Sequence, residues 1–463
     1  MPMDRITLDY SNMLSDRLGG RGIPRDRLRA FQDTFARVHA DVQEQRASGP
    51  LGFFKLPFDV ESVARIQALA DRVNVNENVV VLGIGGSALG TTAVHRALSA
   101  PYWNELNSDA REDYPRLYVL DNVDPRTMGA LLRHMEPGRS LFNVISKSGS
   151  TAETLAQFLI VREWLENALG DGWRRHVVIT TEEGKGPLRR IATDEGIETL
   201  PIPLDVGGRF SVLTAVGLFP LALVGVDIGQ LVAGARAMTE RCDSDDLLSN
   251  PAGAFAALQY LADTDADARI HVVMPYADRL LALGDWFRQL WAESLGKAVD
   301  RSGAEVHTGP TPVTALGATD QHSQVQLYME GPFDKTVTFL NVTDPDEDVP
   351  IPALYADTDA IAYLGGHTIG ELLRAEASAT AAALTSHGRM NMTIELPRVT
   401  AHSVGQLLMM LEIATVYAGG MYGIDPLDQP GVELGKQLTY GLMGRRGYDA
   451  GAVPAPDPNA RIG

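Results

Sequence analysis

The sequence predicts an α/β protein of two similarly organised units, each a mainly parallel sheet sandwiched by helices. Three observations lead there. Short continuous aliphatic runs, such as the start of "VVVLGIGGS", lack the alternation of a sheet with one wet face and suit strands buried on both sides. These runs alternate with longer stretches of helical apolar spacing. Several of them end in glycine and hydroxyl residues just where a helix begins, as strand-to-helix crossovers require.

Residues 26–70 read as helical at both ends, with "GPLGFFKLP" interrupting the pattern. From Asn78, "VVVLGIGGS" reads as a strand entering a glycine turn, followed by a helix through "ALGTTAVHRAL". "PRLYVLDNVDP", "LFNVISKSG" and "RRHVVITTEE" supply further strands, and "TAETLAQFLIVREWLENAL" supplies a helix. A weaker second cycle follows the polar stretch "TERCDSDDLLSNPAG". Its strands are "ARIHVVMPY", "KTVTFLNVTDP" and "MNMTIELP"; its helices are "ADRLLALGDWFRQLWAESLGKAV", "TIGELLRAEASATAAALTSHG" and "SVGQLLMMLEIATVYAGGMYG". The units share organisation without a literal repeat. The division expected is a helical extension over 1–48, a first domain over 49–225, a second over 226–425, and a C-terminal helix with a loose, proline-rich tail over 426–463.

With 463 residues, 45% of them hydrophobic, the chain is long enough for two or three cores. Its formal charge of −19 disfavours nonspecific nucleic-acid binding. No secretory signal or membrane-spanning run is visible, and a single cysteine, Cys242, excludes an internal disulfide. The expectation is a soluble, cytoplasmic protein.

"VISKSGSTAET" ends an aliphatic strand in hydroxyl groups at the start of a helix. The first N–H groups of that helix lack acceptors and favour an anion. Ser146, Ser148, Ser150 and Thr151 can add hydroxyl donors, and Lys147 can add charge or its backbone N–H. Gly85, Gly86 and Ser87 form a comparable turn. Two such turns on neighbouring strands make a plausible monophosphate cradle; the plain alternative is ordinary turn and cap chemistry. Neither segment matches the complete nucleotide-binding signatures.

Arg209 follows two glycines in "DVGGRF". It reads either as a fixed cation for developing oxyanion charge or as a structural salt bridge. Glu293, in "WFRQLWAESLGK", reads either as a desolvated base or as the partner of Lys297 in an exposed i,i+4 pair. His322 lies among polar residues in "TDQHSQVQ" and can exchange protons near neutral pH. Lys436 has a surface alternative, pairing with Glu433. The histidines form no recognisable metal signature.

Taken together and in order, "LGIGGS", "SKSGSTAET", "GGRFSVLTAVG", "ESLGK", "DQHS" and "DQPGVELGK" resemble the phosphoglucose isomerase family over nearly the whole chain. "DQPG", where many longer members carry "DQWG", is similar to the compact bacterial branch. The resemblance implies two sugar isomerase domains and reversible isomerisation of glucose 6-phosphate to fructose 6-phosphate in glycolysis and gluconeogenesis. It implies phosphate binding by Ser87, Ser146, Lys147, Ser148 and Thr151, with Gly86 lining the sugar site and Gln429 contacting substrate. Glu293 matches the isomerisation base, Arg209 the enediolate-stabilising arginine, and His322 and Lys436 the ring-opening pair. It further implies a homodimer in which His322 reaches the neighbouring pocket, a sugar phosphate as the small-molecule partner, and neither cofactor nor metal. Mixed activity on mannose 6-phosphate and a noncatalytic sugar-phosphate sensor are the alternatives.

Overall fold

The computed structural model describes residues 4–73, 77–449, 453, 456–457 and 460–461. The expected loose tail lies largely outside them. Twelve strands are present among the described residues: β1 (Thr7–Asp9), β2 (Asn78–Leu82), β3 (Arg116–Leu120), β4 (Ser140–Ile145), β5 (Val177–Glu182) and β6 (Glu198–Ile202) in the first half. The second half contributes β7 (Ile270–Pro275), β8 (Lys297–Val299), β9 (Glu305–Thr308), β10 (Thr311–Thr314), β11 (Lys335–Val342) and β12 (Asn391–Leu396).

One five-stranded sheet has the order β3-β2-β4-β5-β6, and every pairing in it is parallel. The other has the order β10-β7-β11-β12-β1 when read from the opposite edge. Among their parallel strands, each sheet therefore starts at an inner strand (β2 or β7), sends the next member to one side, and then crosses back to build the other. The second sheet is parallel except for β1, which pairs antiparallel with β12. The N-terminal stretch thus supplies a strand as well as helices. β8 and β9 form a separate small hairpin.

The continuous aliphatic runs are explained by two-sided burial. In β2, Val80 and Leu82 join one apolar cluster with Phe142, Val144, Phe158 and Trp173, whereas Val79 and Val81 face a second. β7 divides in the same way, with Val272 and Met274 on one side and Val273 on the other. The second cluster is shared by both sheets. Its centre is the helix Ala401–Tyr422, packed against the helices Ile228–Arg241 and Pro251–Ala266. By length and composition this helix could cross a membrane; here 89% of its apolar window is buried inside the protein. The Leu281–Leu295 helix also packs on that core and against the Leu89–Leu98 helix that follows β2. Glu293 is thereby carried to the edge where the first glycine turn lies.

Candidate active site

β2 and β4 pair in register with Leu82 opposite Val144, so the turns leaving them open at one edge of the sheet. Gly85 adopts a left-handed φ of 56°. A methyl group at Gly86 would lie 2.2 Å from the Gly208 carbonyl oxygen and 2.8 Å from the Arg209 nitrogen. Glycine at that position lets two backbone turns meet and brings Arg209 beside the first one.

In the second turn, buried Ser146 shares a 2.8 Å hydroxyl hydrogen bond with Thr151. Thr151 is the N-cap of the helix Ala152–Leu169, but its side chain caps no amide. The first-turn N–H groups are left available to an anion. The Ser148 and Ser150 hydroxyls lie 3.0 Å apart, and Ser87 is half-buried in the facing turn. Lys147 turns its ammonium to the carbonyls of Leu204 and Val206, at 2.9 and 2.8 Å. Its charge therefore braces the segment leading into Gly208 and Arg209.

Arg209 is the centre of the polar arrangement, with its side chain only 3% exposed. Nε donates to Ser294 Oγ at 2.6 Å, and Nη2 donates to the carbonyls of Pro426 and Asp428 at 2.6 and 3.1 Å. Nη1 donates to Gln429 Oε1 at 2.9 Å and to Glu293 Oε1 at 3.4 Å. All five guanidinium donors are engaged, so the cation is fixed in place. Burial pulls its pKa below the ordinary arginine value, while the carboxylates of Glu293, Asp428 and Asp425 oppose that shift. Glu293 keeps its other oxygen, Oε2, 2.9 Å from Gln289 Nε2.

The alternative Glu293–Lys297 side-chain pair does not form. Lys297 Nζ instead donates to backbone carbonyls, including that of Glu293 at 3.1 Å. Arg209 does form an ion pair, and with Glu293 itself, so its two readings from sequence are not exclusive. Among the described residues, neither His322 nor Lys436 makes a hydrogen bond or ion pair to the Arg209–Glu293 group. His322 is exposed at the end of the turn Thr319–His322, where neighbouring Gln321 is tied to Tyr276 and Thr380 at 2.7 Å each. Lys436 pairs with Glu433 at 2.6 Å on the helix Glu433–Leu442, which buries none of its residues.

This geometry accompanies a broad likeness to known proteins. A family profile described as phosphoglucose isomerase matches residues 69–447. The chain belongs to the phosphoglucose isomerase family. It is 45% identical to the glucose-6-phosphate isomerase of Carboxydothermus hydrogenoformans, over 96% of each chain. It is also 45% identical to that of Rubrobacter xylanophilus, over 97% of this chain and 100% of the other. Among solved structures, a hypothetical protein from Thermus thermophilus superposes with a TM-score of 0.85 at 38% identity, covering 95% of this chain and 100% of that one.

The phosphoglucose isomerase match spans every expected site position, from Gly86 to Lys436. The structure also draws in residues that sequence reasoning passed over. Gln289 touches the Glu293 carboxylate, Ser294 fixes Arg209 Nε, and Lys297 is buried beneath both. A signal existed for Gln289: it lies one helical turn before Glu293, on the same face. Among the described residues, no cluster of three or more His, Cys, Asp or Glu side chains is arranged to hold a metal ion.

Proposed function

We propose that this chain interconverts D-glucose 6-phosphate and D-fructose 6-phosphate by acid/base ring opening followed by proton transfer through a cis-enediol. The observation that carries this reading is the Glu293 carboxylate, held between Gln289 Nε2 and Arg209 Nη1 at 2.9 and 3.4 Å. It sits beside a glycine turn that meets the Arg209 backbone, at the sheet edge where the hydroxyl-rich turn also opens. Residues 49–225 and 226–425 act as two sugar isomerase domains, with 1–48 as an N-terminal extension and 426–463 contributing Gln429 and Lys436. Cytoplasmic glycolysis and gluconeogenesis are the setting that family membership supports.

Substrate phosphate binds at the amides after Ser146 and at the hydroxyls of Ser87, Ser146, Ser148 and Thr151, with Lys147 bracing the turn. It is not consumed. Its hold fixes the sugar so that the reacting carbons stay within reach of one carboxylate. His322 and Lys436 handle the ring-oxygen and anomeric protons. Glu293 then removes the C2 proton and returns it to C1, a redox-neutral transfer that leaves phosphate and carbon skeleton unchanged. Arg209, a cation fixed beside Glu293, opposes the charge that grows on the substrate oxygen, so it helps the transition state more than bound substrate. Gln429, sharing Arg209 Nη1, orients the same region.

Two chains complete the site. The helix Glu433–Leu442 buries no side chain, yet it carries Leu434 and Leu442 at 65% and 62% exposure. Such a helix needs a surface beyond its own chain, and a homodimer supplies one. His322, exposed and unattached to the Glu293 cluster, acts in the neighbouring pocket.

A direct conversion assay on Glu293→Gln tests the reading. Turnover should fall by about 10²- to 10⁴-fold while the circular dichroism spectrum and substrate binding remain close to wild type. Near-normal turnover in the folded variant would remove Glu293 from the role of base.

A further inference from the structure

The helix bearing Glu293 ends without the usual means of satisfying its last carbonyls. Gly296, at its C-cap, has φ −73° and ψ 100°, which is extended backbone and not the left-handed ending that closes many helices. Lys297 provides the closure instead. Its Nζ donates to the carbonyls of Glu293 and Ser294 at 3.1 and 2.8 Å, and its third donor reaches the Asp428 carbonyl at 3.0 Å. The Asp428 carboxylate stands 3.5 Å away, and the lysine side chain is only 5% exposed.

That third contact is the informative one. The Asp428 carbonyl also accepts from Arg209 Nη2 at 3.1 Å, and the next side chain, Gln429, accepts from Arg209 Nη1 at 2.9 Å. One ammonium therefore joins the backbone of Glu293 to the segment that shares Arg209. Burial pulls Lys297 below its ordinary pKa and nearby Arg209 adds to the shift; the aspartate opposes it. Capping a helix end does not require a buried cation. A cation with three carbonyl acceptors on two segments fixes the distance between those segments.

We propose that Lys297 is a positioning residue for the isomerisation. It sets the Glu293 carboxylate in register with Arg209 and Gln429 by locking the end of one helix to the 426–429 loop, without touching substrate. The assignment rests on the reading of Glu293 as the base. Lys297 is the joint between base and electrostatic partner.

The test is steady-state kinetics in both directions on Lys297→Met and Lys297→Gln, with Gln429→Ala, the Lys297→Met/Gln429→Ala pair and Glu293→Gln alongside. A misplacement near 1 Å should lower kcat by about 10- to 100-fold while KM moves less than about threefold. The Gln429→Ala effect on kcat should largely vanish in the Lys297→Met background, because both changes act through one segment. An unchanged kcat, a defect confined to KM, or fully additive effects would overturn the proposal. So would failure of both lysine variants to fold, which would make Lys297 a structural residue only. An inactive Glu293→Gln beside an active Lys297→Met sinks Lys297 alone; an active Glu293→Gln sinks the underlying reading of the base.

Discussion

Gln289 Nε2 lies 2.9 Å from Glu293 Oε2, one helical turn before it on the same face. The other end of that amide, Oε1, is buried with no hydrogen-bond partner among the described residues. A Cβ on Gly85 would come within 2.9 Å of the same Nε2. The glutamine is thus confined between the glycine turn and the carboxylate, and it leaves one carboxylate oxygen to Gln289 and the other to Arg209.

Replacing Gln289 by Leu keeps the approximate volume and removes the donor. The carboxylate then has one fixed partner instead of two and a wider range of orientations. We expect kcat to fall by about tenfold or more, because reaching the reactive geometry depends on that orientation. The thermal midpoint should change little, since the buried Oε1 without a partner is lost as well. Steady-state kinetics and a melting curve on one preparation check both statements. Wild-type kcat would show that Gln289 does not orient the base.

Gly86→Ala tests the contact between the two turns. The new methyl would meet the Gly208 carbonyl carbon and oxygen at 2.3 and 2.2 Å, and these are backbone atoms that cannot rotate away. The turns must separate. Overpacking of this kind destabilises by about 1–3 kcal/mol, and here the strain falls between the first turn and Arg209. We expect a lower denaturation midpoint together with a loss of kcat/KM. An active variant of wild-type stability would show that the close approach is dispensable.

Much of this was legible before the fold was known, and the exceptions have physical causes. The inner strands β2, β4, β7 and β11 are two-sided and aliphatic, so their runs stand out. The edge strands β6 and β10 contain Pro201 and Pro312 and only partly apolar surroundings; proline is tolerated at an edge and hides the pattern. β1 has only three residues and gains its meaning from β12, far along the chain. Preceding glycines single out Arg209, and a partly apolar helical neighbourhood singles out Glu293. Their ion pair was not readable, because it depends on the approach of Gly86 to Gly208. The setting of Lys297 is hidden for a related reason: i,i+4 spacing suggests a side-chain pair, whereas Gly296 turns the chain so that the ammonium meets carbonyls.

Acid should weaken the fold through buried histidines. Burial pulls His95 down to about 4 and His271 to about 3, from an ordinary value of 6.5. Both are neutral in the folded protein at pH 5, whereas an unfolded chain takes up their protons below 6.5. The unfolded state binds more protons in that window, so this stability is present above pH 6.5 and is lost as pH falls toward 4. Glu412 acts with the opposite sign: fully buried, its carboxyl is pushed well above 4.5, so it opposes folding as pH rises past 4.5. Melting midpoints measured from pH 7 to pH 4 should fall more steeply for wild type than for His95→Gln. Parallel curves would show that His95 takes up its proton without unfolding.

The exposed position of His322 makes a prediction about mixed subunits. If each pocket joins Glu293 of one chain to the partner subunit's His322, then Glu293→Gln and His322→Ala homodimers are both deficient at every site. A mixed dimer is different. It holds one pocket with both native residues and one with neither. Random exchange yields about half mixed dimers, each with one intact pocket, so the mixture should recover about a quarter of wild-type activity. Two distinguishable tags allow the mixed species to be isolated, and its mass can be measured in solution before assay. Recovery above the sum of the two parents supports a shared pocket. A purified mixed dimer no more active than its parents would place His322 in the service of its own chain, and the helix Glu433–Leu442 would then need another explanation for its exposed leucines.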